Sequence, residues 1–211
     1  MTTADTRYLR LNTAAHGLKR GVLGATDHRV MLTMQGCSHV KCPGCTSAHT
    51  WDANAGRQIP VTGLVHWMRR LPRLDGLTIT GGEPTDQAAA LIDLLRSFRR
   101  TLPRAEVVLY SALLWSRLQR DFGDLVDLCD VVVAGPYVQG LPPTPLAGSS
   151  NQTVHLLTPL AERLYADWKD WPLHRVQLSQ SGRDDTALLI GIPSRSLIRS
   201  AAQPPTPSIN T

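Results

Sequence analysis

Three of the four cysteines lie within nine positions, as Cys37-Ser-His-Val-Lys-Cys42-Pro-Gly-Cys45. Gly36, Pro43 and Gly44 allow this segment to turn tightly, so one loop can aim three thiols at a common point. Thiolates are soft donors that suit zinc or an iron–sulfur cluster. A structural zinc would need a fourth donor, and His39 and His49 stand close by in sequence. Such zinc sites usually present two paired knuckles, whereas this loop has a single Cys-x-x-Cys, which favours a cluster. A cubane held by three cysteines leaves one iron without a protein ligand, open to a cofactor or substrate. The fourth cysteine, Cys129, is isolated between Leu128 and Asp130 and reads as a small buried residue.

The elements that must position this loop follow from hydrophobic periodicity. Arg29-Val-Met-Leu-Thr-Met34 reads as a strand running straight into the cysteine loop. Val61, Leu64, Val65, Met68 and Leu71 have helical spacing. Leu77-Thr-Ile-Thr80 is a second strand, stopped by Gly81-Gly82, and Leu91, Leu94, Leu95, Phe98 and Leu102 mark a longer helix with Thr85 or Asp86 as its N-cap. Glu106-Val-Val-Leu-Tyr110 and Val131-Val-Val133 are further strands, with a helix predicted over 113–120 between them. Alternating strands and helices imply parallel βαβ units, whose ligands gather at the C-terminal strand ends. There stand the cysteine loop, Gly81-Gly82-Glu83-Pro84 and Tyr110-Ser111. Residues 135–152 are rich in Gly, Pro and Ser and read as loop. Strands are expected over 154–157, 175–179 and 187–192, the last two joined as a hairpin by Ser181-Gly-Arg-Asp-Asp185.

The chain has 211 residues, a length that suits one domain over 1–200, with a Pro-rich tail over 201–211 expected to be disordered. No apolar run approaches the roughly 20 residues that span a bilayer. The N-terminal residues lack the apolar block of a secretory signal, so the reducing cytoplasm is the default location. The net charge of +5 comes largely from Arg residues that fall off the apolar helix stripes. No aromatic residues interleave those arginines, so a solvated face is favoured over a nucleic-acid surface.

The sequence resembles the radical S-adenosylmethionine (SAM) superfamily, particularly the small activating enzymes of anaerobic ribonucleotide reductase. The resemblance is carried by Met34-Gln-Gly-Cys37 with Cys42-Pro-Gly-Cys45 and His49-Thr-Trp-Asp52, and by Thr78-Ile-Thr-Gly-Gly-Glu-Pro84. Two later stretches match in order, Asp130-Val-Val-Val-Ala-Gly-Pro-Tyr137 and Gly148-Ser-Ser-Asn-Gln152. It implies a partial (β/α) barrel of parallel strands, to which the residues add a C-terminal β-hairpin. It further implies a [4Fe-4S] cluster on Cys37, Cys42 and Cys45, and reductive cleavage of SAM to a 5′-deoxyadenosyl radical. Gly81, Gly82, Glu83 and Pro84 would bind the cofactor, with Glu83 accepting from the methionyl ammonium. Ser111 stands at the end of the third strand. Ser149 and Asn151 would either bind the SAM ribose or carboxylate or cap the following strand. The implied partners are a glycyl radical enzyme and an electron donor such as flavodoxin or ferredoxin. The same chemistry on a peptide or small molecule, and a non-catalytic zinc or cluster module, are the alternatives. This chain departs from the superfamily in having four residues, rather than three, between its first two cysteines. It also lacks a glycine after Tyr110-Ser111.

Overall fold

A computed structural model describes residues 7–38, 40–173, 175–180 and 187–201. Nine strands are present among them: β1 (Tyr8–Leu18), β2 (Arg29–Met34), β3 (Arg57–Pro60), β4 (Gly76–Gly81), β5 (Glu106–Ser111), β6 (Val131–Ala134), β7 (Thr153–Leu156), β8 (Val176–Gln180) and β9 (Ala187–Gly191). The helices are α1 (Val61–Arg69), α2 (Ala88–Thr101), α3 (Trp115–Asp121), α4 (Gly123–Val126), α5 (Pro159–Leu164) and α6 (Arg195–Ala201). One sheet has the order β3-β1-β2-β4-β5-β6-β7, and β8 and β9 form a second, antiparallel pair. β2, β4, β5 and β6 are mutually parallel, as expected for a partial barrel. β1, β3 and β7 extend it antiparallel.

Period-two alternation divides the parallel strands between two faces. Val30, Leu32, Met34, Leu77, Ile79, Val107, Leu109 and Val132 pack in one core with Leu64 and Met68 of α1 and Leu91, Leu94, Leu95 and Phe98 of α2. Those helical residues recur at three- and four-residue intervals, one stripe of a 3.6-period helix. Burying each Leu or Phe contributes roughly 1.5–3 kcal/mol. The opposite, concave face carries Arg29, Met31 and Thr33 of β2, and its lower half is filled from the C-terminal part of the chain. There Tyr165 and Trp171 pack with Val108 and Val131, and Ile190 of β9 packs with Met31 and Leu23.

Across the base of this face runs a buried ion pair between Arg29 and Glu106, both side chains fully buried. Arg29 is in register with Gly76 and Gly76 with Glu106, so the pair spans the intervening strand. A Cβ at Gly76 would lie 2.7 Å from the Arg29 guanidinium, so only glycine leaves the salt bridge its space. Thr26, Thr78 and Tyr165 complete the network through hydrogen bonds to the same two groups. Burial and the Glu106 charge hold the Tyr165 phenol well above its ordinary pKa.

Several expectations are revised. β1 and β3 were not legible as strands; β1 shifts register against β2 between Leu11 and Thr13 and again between Ala15 and Leu18, which breaks its alternation. Neither Thr85 nor Asp86 caps α2 directly. A 3₁₀ turn over Pro84–Gln87 precedes that helix, and the Glu83 carboxylate caps the turn by accepting from the Thr85 N–H at 3.1 Å. Arg99 is no solvated side chain, since its guanidinium donates to the carbonyls of Leu128 and Ala105 and to Asp130. Cys129 is buried as expected, and burial pushes its thiol pKa up to about 12. The hairpin turn at 181–185 and residues 202–211 of the tail lie outside the described residues. Among the described residues no helix is long and apolar enough to cross a membrane.

Candidate functional site

The cysteine loop leaves the C-terminal end of β2 and is folded back on itself by its own backbone. Gly36 N–H donates to the Thr50 carbonyl at 2.7 Å and Cys37 N–H to that of Trp51 at 3.3 Å. The Gln35 amide reinforces this return leg by donating to the Asp52 carbonyl at 2.8 Å. Cys45 N–H closes a tight turn onto the Cys42 carbonyl, and Ser47 N–H donates to the Cys45 sulfur at 3.3 Å. The Cys37 thiol donates to the Val40 carbonyl at 2.9 Å, and Val40 itself packs on the main core. Cys37 and Cys42 are buried and Cys45 half-buried, all three as free thiols. Burial is the main cause that raises the pKa of Cys37 and Cys42. For Cys37 the Val40 hydrogen bond opposes the rise, and the charges of Glu83 and Asp86 add to it. A metal must therefore displace protons from these sulfurs when it binds.

The Gly81-Gly82-Glu83-Pro84 segment is packed directly on the start of that loop. Gly82 N–H donates to the Met34 carbonyl at 2.9 Å and Glu83 N–H to the Gly36 carbonyl at 2.8 Å. A Cβ at Gly82 would lie 2.0 Å from the Gly36 carbonyl oxygen, a collision of backbone that no rotamer relieves. The glycine is thus required by loop-on-loop packing before any ligand is considered. Gly82→Ala is expected to lower stability by about 3 kcal/mol, a fall in Tm of roughly 6–12 °C in a thermal melt, and to abolish cluster uptake.

Glu83 is 1% exposed. Its Oε1 accepts from the Thr85 N–H, the Thr85 hydroxyl and the Ser111 hydroxyl, the latter two at 2.8 Å, and Oε2 from the Ala112 N–H at 2.8 Å. The carboxylate therefore ties the end of β4 to the end of β5. Pro84 is buried beside it.

A cavity of about 540 Å³ opens over these strand ends and is lined by Cys37, Cys42, Cys45, Gly81, Gly82 and Ser111. Pocket volumes of roughly 300–1,000 Å³ hold drug-sized ligands, so the space suits a compact cluster with a nucleoside-sized cofactor. Among the described residues no three His, Cys, Asp or Glu side chains converge as the ligands of a single ion do. The thiols instead face a cavity, a donor set that fits a cluster with bulk of its own. Glu83 and Pro84 stand behind the wall. Ser149 and Asn151 also lie off the lining, with Ser149 Oγ accepting from Val138 N–H at 3.1 Å and the Asn151 amide donating to the Pro136 carbonyl at 2.8 Å. Their neighbours Gly148 and Gln152 reach the cavity instead. Trp51, from the stretch His49-Thr-Trp-Asp52, is half-buried on the cavity wall.

The opposite wall is built by Leu188, Ile190 and Ile192 around β9 and by Ile198 of α6, apolar residues that carry no motif to mark them as part of a site. Gln35, Asp86 and Gln87 were also missed. Gln87 donates to the carbonyls of Gln35 and Arg10 and accepts from the Arg10 N–H, so it ties the cysteine loop to β1. Their only signal was position, as polar residues directly beside a motif.

With this geometry in hand, residues 23–155 match the family described as a 4Fe-4S single cluster domain. The chain belongs to that family. It is 31% identical, over a 147-residue alignment, to the anaerobic ribonucleoside-triphosphate reductase-activating protein of Escherichia coli (strain K12), covering 64% of this chain and 93% of that protein. The corresponding protein of Salmonella typhimurium is 30% identical and that of Salmonella typhi 29%, over the same shares. β8, β9 and α6 lie beyond the matched family region.

Proposed function

We propose that this chain is a radical SAM activating enzyme, in which Cys37, Cys42 and Cys45 hold a [4Fe-4S] cluster and the substrate is a glycine of a partner glycyl radical enzyme. The single observation that carries the reading is one cavity lined jointly by the three thiols and by Gly81, Gly82 and Ser111. When bound, the cluster would supply the electron for reductive cleavage of SAM to methionine and a 5′-deoxyadenosyl radical. The chain's own residues orient the cofactor and keep water out. Gly81 and Gly82 let the ligand approach backbone. Glu83, 1% exposed behind the wall, ties together the ends of β4 and β5 that present Gly81, Gly82 and Ser111 to the ligand. Pro84 stiffens the turn that holds it. Ser149 and Asn151 shape the loop that presents Gln152 to the cavity. The reaction needs a low-potential donor of the flavodoxin or ferredoxin kind and a reducing compartment, the cytoplasm. The name of the relatives, activating proteins of anaerobic ribonucleoside-triphosphate reductase, supports a reductase of that kind as partner.

A second reading keeps the chemistry and changes the substrate to a peptide or small molecule. It is favoured by β9 and α6, which wall the cavity from outside the matched family region. The experiment is anaerobic reconstitution with iron and sulfide, followed by dithionite and SAM. Release of 5′-deoxyadenosine and methionine is expected, and a fully loaded cluster that leaves SAM intact would overturn both readings. Addition of an anaerobic reductase then separates them, since activation gives a glycyl radical signal by electron paramagnetic resonance.

A further inference from the structure

The cysteine loop carries one residue more between its first two thiols than the pattern it resembles, and the structure contains a contact at that point. Asp86, in the turn that follows Gly81-Gly82-Glu83, accepts two hydrogen bonds from Ser38. The Ser38 N–H reaches Oδ2 at 2.7 Å and the Ser38 hydroxyl reaches Oδ1 at 2.7 Å. Ser38 is the first residue after Cys37. The loop is held again two residues on, where the Val40 side chain meets the core. Each added loop residue brings two soft backbone dihedrals that must be immobilised before a sulfur is aimed. Both of these ties fall inside the lengthened segment.

We infer that Asp86 is a positioning residue for the cluster, clamping Ser38 so that the longer loop presents Cys37 at a fixed place. This rests on the cluster assigned to Cys37, Cys42 and Cys45. The clamp joins the cysteine loop to the turn behind Glu83, beside the tie that the Gln87 amide makes to the Gln35 carbonyl in that same turn. A carboxylate held this close to Cys37 also places negative charge beside the cluster and disfavours the added electron. Asp86 thus sets both the geometry and the ease of reduction.

The test uses the full chain reconstituted anaerobically with iron and sulfide, with Asp86→Ala, Asp86→Asn, Ser38→Ala and the Asp86→Ala/Ser38→Ala double variant. Loss of iron to a chelator is expected to be roughly tenfold faster in Asp86→Ala, in the range of outer-shell effects on metal sites. The signal of its reduced cluster is expected to broaden and its midpoint potential to move positive, while the thermal melt of the metal-free protein stays put. Ser38→Ala should give part of the same loss, and the double variant should be no worse than Asp86→Ala alone. Asp86→Asn keeps an acceptor without the charge, so it should restore part of the iron retention but none of the potential. Iron loss within twofold of wild type with an unchanged spectrum, or strictly additive effects of the two single variants, would overturn the clamp. Asp93→Ala, which removes an acid paired with Arg7 on α2, serves as the control expected to change nothing. Failure of the wild-type chain to take up iron would overturn the proposed function itself, a result distinct from a wild-type cluster that is indifferent to Asp86.

Discussion

Cys42→Ala protein, reconstituted with iron and sulfide, is expected to retain less than about one iron per chain where the wild type holds about four. Cys37→Ala and Cys45→Ala should behave alike, and 5′-deoxyadenosine formation should fall to background in all three. The size of the effect follows from the geometry. All three sulfurs line one cavity, and among the described residues no further cysteine stands on its wall, because Cys129 is sealed in the opposite core. Loss of one sulfur leaves a second iron exposed, and two thiolates do not retain a cubane. Cys129→Ala separates ligation from packing. It should keep the full iron content yet lose about 1–2 kcal/mol of stability, since it removes a fully buried side chain that donates to the Leu125 carbonyl. Iron analysis and a thermal melt on the four variants decide the matter. Normal iron in any one of the three loop variants would remove that cysteine from the ligand set.

The largest expected effect on folding is at Glu106. Glu106→Ala leaves the Arg29 guanidinium at full burial with no counter-charge, and removal of one member of a buried ion pair costs about 3–5 kcal/mol. A chain of this length should then melt roughly 6–20 °C lower. The loss also takes away the acceptor of the Tyr165 hydroxyl, while the Ala25 N–H keeps its 3.1 Å bond to that hydroxyl. Because Tyr165 anchors the C-terminal part of the chain beneath the cavity, iron uptake should weaken although no ligand is touched. Arg29→Met combined with Glu106→Leu removes both charges and should recover much of the stability. If denaturant melts put Glu106→Ala within about 1 kcal/mol of wild type, the pair is not a structural keystone.

Much of the architecture could be read from the chain because its determinants are local. β2, from Arg29 to Met34, is a buried run of unmistakable strand type. The stripes of α1 and α2 show the helical period. The thiol spacing and the Gly-Gly-Glu-Pro segment announced the site. β1 escaped because its bulges destroy alternation, and β3 because two exposed and two half-buried residues carry no pattern. The polar clamps escaped because they join residues far apart in sequence. Ser38 and Asp86 are separated by 48 positions, and Arg29 and Glu106 by 77.

What the sequence determined on its own is which chemistry is present: three soft donors on one short loop, two adjacent glycines at a strand end, and strands of period two that must share a sheet. Tertiary structure alone decided how those groups are held. Glu83 turned out to be a tie between β4 and β5, Gly82 a point of contact with Gly36, and β9 a wall of the cavity. The reason is physical. Side-chain periodicity and ligand spacing are properties of consecutive residues, whereas strand register and loop-on-loop contact exist only after distant segments have paired.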